Sequence, residues 1–263
     1  MKKFRVLLLA VFLLVLGACA APMRHRVPPN YSNPIYTVAV LPMYNASNDV
    51  EGARMVREEF NKRIQNINYL IKPLSEVDRV LMDQMGITLG SQLEMTNPKQ
   101  LGEILGVDGV VYGYLLNFDD ITTGVYNAKR VRAGFKLVDT KTGVVMWADG
   151  HGVKSLLAGS DVGTGITLLK EAQDSKEGLD YYKAIEGLNE IPGLKNWQII
   201  RAGGTKKVGD AAALALGEKL LTKALKIHLR LESDTMLNSI VKGFPAGPGS
   251  SRTAAAPSEP EKK

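Results

Sequence analysis

A single thiol, three histidines, two pairs of neighbouring acids and two glycine-rich clusters are the groups from which this chain could build chemistry. Cys19 is the only cysteine, so it can be acylated or oxidised but can form neither an internal disulfide nor a thiolate metal cluster. His25, His151 and His228 have no neighbours at metal-ligand spacing, and His228 falls near the apolar face of a helical pattern, so no metal site follows. Glu58-Glu59 and Asp119-Asp120 are the kind of carboxylate pair that acid–base or glycosidase chemistry uses. Adjacent side chains point apart on a helix or a strand, however, and both pairs read as solvated surface. Ser155 or Ser160 with His151 and Asp161 has the composition of a hydrolase triad, but no Gly-x-Ser-x-Gly elbow presents either serine. Gly163-x-Gly165 lacks the third glycine of a dinucleotide fingerprint, with Leu at 168, and Gly203-Gly204-Thr205-Lys206 lacks phosphate-loop spacing. The sequence thus predicts no catalytic residue, no cofactor and no enzyme.

Cys19 has a more specific setting than any of these. Lys2, Lys3 and Arg5 precede the eleven-residue apolar run Val6 to Leu16, far short of the roughly 20 helical residues that cross a bilayer. Leu16-Gly17-Ala18-Cys19 then resembles the lipobox of bacterial lipoproteins. That resemblance implies a cleaved signal over 1–18 and a diacylated Cys19 as the new N-terminus, joined to the membrane. In Gram-negative lipoproteins an aspartate after the cysteine favours inner-membrane retention; Ala20 follows here, which implies the outer membrane, the periplasmic side being preferred to the surface. Residues 19–34 carry Pro22, Pro28, Pro29 and Pro34 and read as an extended, lipidated linker. Within it, Arg24-His25-Arg26 is either a solvated basic spot or a contact to anionic headgroups.

Of the formal net charge of +6 over 263 residues, three charges lie in the signal, and Lys242, Arg252, Lys262 and Lys263 lie near the end against Glu259 and Glu261. The remainder is near neutral and has no basic patch interleaved with aromatics, which argues against a nucleic-acid partner. One main domain is expected over 35–235, followed by a disordered tail over 240–263 whose Gly, Pro, Ala and Ser cannot bury enough apolar surface.

Within that domain, residues 35–42 read as a buried strand ended by Pro42. Asn48, with Glu51 three residues on, predicts the start of a helix that turns Ala53, Val56, Phe60, Ile64 and Ile67 inward. Residues 69–73 give a short strand, and Ser75 with Asp78 caps a second helix with Val77, Val80, Leu81 and Met85 inward. Asn97-Pro98-Lys99-Gln100 is the clearest helix start, and Gly106 its left-handed end. Residues 107–115 form a strand with little alternation, buried on both faces. Val131, Ala133, Phe135 and Leu137 alternate with outward Arg132 and Lys136, and Asp139-Thr140-Lys141-Thr142-Gly143 turns the chain into a partner strand through Ala148. Residues 151–207 read as an insertion. A last helix, capped by Asp210, carries the stripe Ala213, Leu216, Leu220, Ala224, Ile227 and Leu231; Phe60 and Leu220 are expected to be buried against the sheet.

The result is an α/β class: a mixed sheet packed by helices, with an insertion before the last helix. Val38-Ala39-Val40-Leu41-Pro42, residues 105–113 and the hairpin 139–147 resemble the module shared by the N-terminal domain of TolB, the curli-secretion lipoprotein CsgG and the peptidoglycan-synthase activator LpoB. With the lipobox, the chain looks most like a family of Gram-negative lipoproteins noted among neisserial vaccine candidates, beside CsgG-like lipoproteins. The resemblance implies architecture first. For function it implies a binding or assembly module for envelope or secretion components, among them CsgG-like lipoproteins or further copies of the chain. The alternatives are an accessory subunit of a CsgG-like secretion apparatus and an LpoB-like regulator of peptidoglycan synthesis. Residues 151–207 contain no pair of the nine-to-eleven-residue alternating strands that a membrane barrel needs. They do hold Tyr181, Tyr182 and Trp197 outside any clear stripe; these form either an interaction surface or a satellite core.

Overall fold

The computed structural model describes residues 27–122, 126–158, 185, 187–201 and 229–249. A seven-stranded mixed sheet lies at its centre, made of β1 (Thr37–Val40), β2 (Tyr44–Asn45), β3 (Leu70–Ile71), β4 (Gly109–Thr122), β5 (Tyr126–Asp139), β6 (Val145–Ala158) and β7 (Trp197–Arg201). The order is β3-β1-β4-β5-β6-β7, with β2 paired to β4. β4, β5 and β6 form an antiparallel ribbon of three 14-residue strands, while β1, β2 and β3 on one side and β7 on the other add in parallel.

Helices α1 (Val50–Ile64) and α4 (Arg230–Val241) cover one face. There Val56, Phe60 and Ile64 from α1 and Met236, Leu237 and Ile240 from α4 meet Val111, Val131, Phe135 and Val153 of the sheet. Phe60 is fully buried as expected, its ring stacked on Phe135 with centroids 4.0 Å apart. The other face is shared. Helices α2 (Leu74–Met85) and α3 (Pro98–Leu105) cover Ala39, Val110 and Val138 at one end. Ile185, Leu188, Ile191 and Leu194 cover Tyr114 and Leu116 at the other.

Local signals set most boundaries. The Asn97 side chain accepts from the Gln100 amide at 2.9 Å and Gly106 turns left-handed at φ 63°, as the sequence predicts. The turn after β5 forms because Asp139 Oδ1 accepts the amides of Lys141 and Thr142 at 2.8 and 2.9 Å. Two caps differ from expectation. Asp49, not Asn48, opens α1 by accepting from the Gly52 amide at 2.8 Å. Helix α2 starts two residues earlier than a Ser75 cap would allow, because the Pro73 carbonyl already accepts the amides of Glu76 and Val77, each at 3.0 Å.

Larger corrections fall toward the C-terminus. The insertion cannot begin at 151, since β6 continues to Ala158, and β7 belongs to the sheet itself. The stripe expected to run to Leu231 does not include it: Leu229 takes a left-handed φ of 55°, α4 begins at Arg230, and Leu231 is exposed. Leu220 lies outside the described residues. The tail boundary moves from 240 to 249, because Phe244 is buried edge-on against Phe60, Tyr69 and Trp147, and Gly247 is bonded to Ile67.

Candidate interaction face

Among the described residues, the sets with catalytic composition do not assemble. Glu58 pairs with Arg54, and Glu59 with Lys62 and Arg63, all on the surface of α1. The Lys62 ammonium, helped by Arg63 and opposed by partial burial, holds the Glu59 carboxyl below its ordinary range, the opposite of what a general acid needs. Asp119 faces Arg130 across the ribbon at 3.2 Å, and Asp120 is in register with Lys129 on the other face. His151 and Ser155 stand four residues apart in β6. Strand geometry puts them about 13 Å apart on one face, too far for a nucleophile and its base. Among the described residues no cluster of three or more His, Cys, Asp or Glu could hold a metal, and no helix is long and apolar enough to cross a membrane. Cys19, His25, Ser160, Asp161, His228, Tyr181, Tyr182 and the clusters at 163–165 and 203–206 lie outside the described residues.

What the structure builds instead is a face shaped by glycine. On the side of the ribbon away from α1 and α4, Gly134, Gly150 and Gly152 lack the side chains that would keep the next layer off. A Cβ at Gly150 would stand 2.7 Å from Leu194, and one at Gly152 would stand 2.6 Å from the Trp197 ring. The short 3-10 turns Leu188–Glu190 and Pro192–Lys195 therefore settle directly on the backbone and deliver Trp197 to the first position of β7.

This explains why Arg132, expected to point outward, is buried instead. Its guanidinium carbon sits 4.9 Å from the Trp197 centroid, and its Nε donates to Asn117 Oδ1 at 2.8 Å. The Asn117 side chain is on this face because a bulge between Leu115 and Asn117 shifts the register of β4. Lys154 is buried too, its ammonium also 4.9 Å from the Trp197 ring, so two cations bracket one indole. Trp197 itself is half-buried, and its Nε1 has no hydrogen-bond partner among the described residues. Beyond it Ile199 stays 46% exposed on β7, the last strand of the sheet.

Beside this platform, between the start of α3 at Pro98 and the 3-10 turn ending at Glu190, lies a cleft of about 190 Å³ lined by Tyr44, Tyr112, Tyr114, Lys136, Val145 and Glu190. Lys136, the second residue expected to point outward, is largely covered. Its ammonium binds Glu190 at 2.8 Å and lies 5.3 Å from the Tyr112 centroid. Burial pushes the Tyr112 hydroxyl up to about 12, so the ring is a neutral wall near neutral pH. The Trp197 clamp and the Lys136 pair were not visible as sites in the sequence. The signal available was the set Gly134, Gly150 and Gly152, which the ribbon's register places on one face.

Comparison with known proteins adds identity to this geometry. Residues 30–173 match the family model described as GNA1162-like, a lipoprotein family. A curated Neisseria meningitidis serogroup B relative, also named for a lipoprotein, is 26% identical over 118 residues, which is 45% of this chain. The chain spans about half the length of that relative, 54%. The crystal structure of lipoprotein GNA1162 from Neisseria meningitidis aligns at 21% identity and a TM-score of 0.43, covering 54% of this chain and 98% of that one. The PelC dodecamer from Paraburkholderia phytofirmans aligns at 15% identity and 0.31, covering 46% and 73%. The C-terminal domain of Escherichia coli LpoB aligns at 12% and 0.33, covering 45% and 83%. With more than half of its length matched by the family model, the chain belongs to the GNA1162-like lipoprotein family.

Proposed function

We propose that this protein is a lipid-anchored, non-catalytic module of the cell envelope that docks other envelope proteins onto the outer end of its sheet. Cys19 carries the anchor, at the outer membrane on its periplasmic side, and the region of Tyr181, Tyr182 and Trp197 forms the interaction surface. One observation carries the reading: among the described residues β7 is the edge strand, its root fixed by Trp197 against Arg132 and Lys154, with Ile199 exposed. A rigid, open edge suits the addition of a strand from a partner, where main-chain bonds give affinity and side chains such as Ile199 give selectivity. The partners would be envelope or secretion components, with CsgG-like lipoproteins or a second copy of the chain as candidates. A role in regulating peptidoglycan synthesis would use the same edge.

A photo-crosslinking residue at Ile199, compared in intact cells with one at the exposed Met82 on α2, tests this. Position 199 should trap a discrete neighbour that position 82 does not; equal labelling at both would overturn the assignment of the edge. Cys19→Ser should separately release the chain from the membrane fraction, because several acyl chains at about 0.8 kcal/mol per buried methylene hold firmly where one does not.

A further inference from the structure

The two ends of the described chain meet at one corner of the fold. The Asn68 side chain donates to the Val27 carbonyl at 2.7 Å, and the Asn30 amide donates to the Gly247 carbonyl at 2.9 Å. The amides of Gly247 and Gly249 donate in turn to the carbonyls of Ile67 and Asn68 at 2.8 and 3.1 Å. The Asn33 side-chain amide completes the clasp by donating to Tyr69 Oη at 2.7 Å and to the Ala246 carbonyl at 2.9 Å. Three segments are thereby tied together: residues 27–35, 65–71 and 243–249.

None of these 23 residues is charged. At the chain's overall charged content of 23%, about five charges would be expected there. The corner also exposes apolar side chains: Tyr31 at 74%, Leu70 at 59% and Val27 at 43%. Each lies within two residues of a group in the clasp. Stepping out of the three segments along the chain, the first charged residues are Arg26, Arg63, Lys72, Lys242 and Arg252, all basic, and Asp49, which lies beyond β1 at the far side of the sheet. Arg63 and Lys72 are engaged with Asp234, Glu59 and Glu76. Lys242 is exposed. A charge-free patch with exposed tyrosine and aliphatic side chains, beside the exposed Lys242, is the composition that favours a lipid–water interface.

We infer that this corner is a membrane-docking surface, and that its occupant is the bilayer holding the lipids on Cys19. The inference rests on the anchor reading above. Seven residues separate Cys19 from Val27, so even fully extended these eight steps reach at most about 28 Å. Val27 is itself bonded into the corner, which keeps that side of the domain nearest the lipid. The other edge of the sheet then points away: β3 and β7 are five strand spacings apart, roughly 24 Å. Docking at the corner would thus present β7 to partners and keep it clear of the headgroups.

Because Cys19 is the only cysteine and is acylated in this reading, Tyr31→Cys, Leu70→Cys and Val50→Cys each give the mature chain one free thiol for a fluorescent label. Val50 is 80% exposed and opens α1, whose far end runs into the corner, about 22 Å away along the helix axis. All three positions are exposed, so labelling leaves the fold intact. Each labelled chain, purified from membranes with its lipids, is placed in phosphatidylethanolamine–phosphatidylglycerol vesicles containing a nitroxide-bearing lipid. Flotation with the vesicles together with loss of emission at 31 and 70, but not at 50, is the expected result. Flotation with emission equal at all three positions would overturn the docking surface while leaving the anchor intact. Failure to float would overturn the anchor and the docking surface together. Shielding of 31 and 70 that grows with protein concentration without lipid would assign the patch to a second copy and overturn the lipid assignment.

Discussion

The Tyr69 hydroxyl accepts the Asn33 amide inside the clasp while its ring packs against Phe244, so one side chain ties the polar corner to the apolar core. Burial pushes it up to about 12, against the smaller opposing effect of that hydrogen bond, and burial does the same to Tyr112. For an acid raised by folding, the folded chain keeps a proton that the unfolded chain releases near pH 10. The stability carried by the neutral form is therefore complete below about pH 10 and is lost as pH rises toward about 12. Denaturant unfolding at a series of alkaline pH values should show this fall, and Tyr69→Phe should make it shallower. Near neutral pH, Tyr69→Phe should cost only about 0.5–1.5 kcal/mol, because Asn33 keeps its bond to the Ala246 carbonyl. An unchanged alkaline slope in the variant would show that Tyr69 is not the titrating group. Asp108 behaves oppositely. Burial would raise Asp108, but the Thr37 amide and hydroxyl, Lys141 and the Tyr36 amide together hold it below its ordinary value.

At the scale of elements, the ribbon face depends on what Gly150 and Gly152 leave out. Gly152→Val would place a Cβ 2.6 Å from the Trp197 ring, next to Gly150, on which Gly193 and Leu194 already pack closely. Overpacking of this kind typically costs about 1–3 kcal/mol. The variant should melt earlier and shift the Trp197 emission to longer wavelength, as the indole leaves Arg132 and Lys154. A normal melt with unshifted emission would mean that the close approach is not needed. This face also shows where sequence reading stops. The helix starts at Asn97, the Gly106 stop, the Asp139 turn and the inward stripe of α1 were legible because each is decided within a few residues by caps, turns and period. Arg132 was not. Its alternation with Val131 and Ala133 reads as outward, and it is buried only because a segment some 60 residues later lies on the glycine floor. The Asn48 and Ser75 caps failed for a smaller reason: Asp49, one residue further on, caps through the Gly52 amide, and the Pro73 carbonyl, two residues before Ser75, already takes the Glu76 and Val77 amides. The candidate site shared this limit, since Trp197 stood out by type while its cation clamp depends on long-range packing.

For the whole molecule, the segment after α4 was read as tail because its glycines and prolines resemble linker, yet residues 244–249 close the structure. Phe244 fills the space between Phe60, Tyr69 and Trp147, and the amides of Gly247 and Gly249 bind the Asn68 turn, itself held at a positive φ of 62°. The same turn holds Val27, so residues 244–249 also set where the N-terminal linker leaves the domain. Two truncations separate these roles from mere length. A chain ending at Gly249 should melt like the full chain, since nothing in the clasp lies beyond it. A chain ending at Lys242 loses the Phe244 ring as well as the clasp bonds. Removing a buried Phe side chain alone costs about 3–5 kcal/mol, a large share of the roughly 5–15 kcal/mol that holds a domain folded. The shorter chain should therefore unfold at markedly lower denaturant, and protease should cut it between Cys19 and Ile35 before the rest, because Val27 and Asn30 have lost their partners. If the two truncations melt together and are cut alike, the clasp adds nothing, and the linker's exit must be fixed by Asn33 and Asn68 without help from the C-terminus.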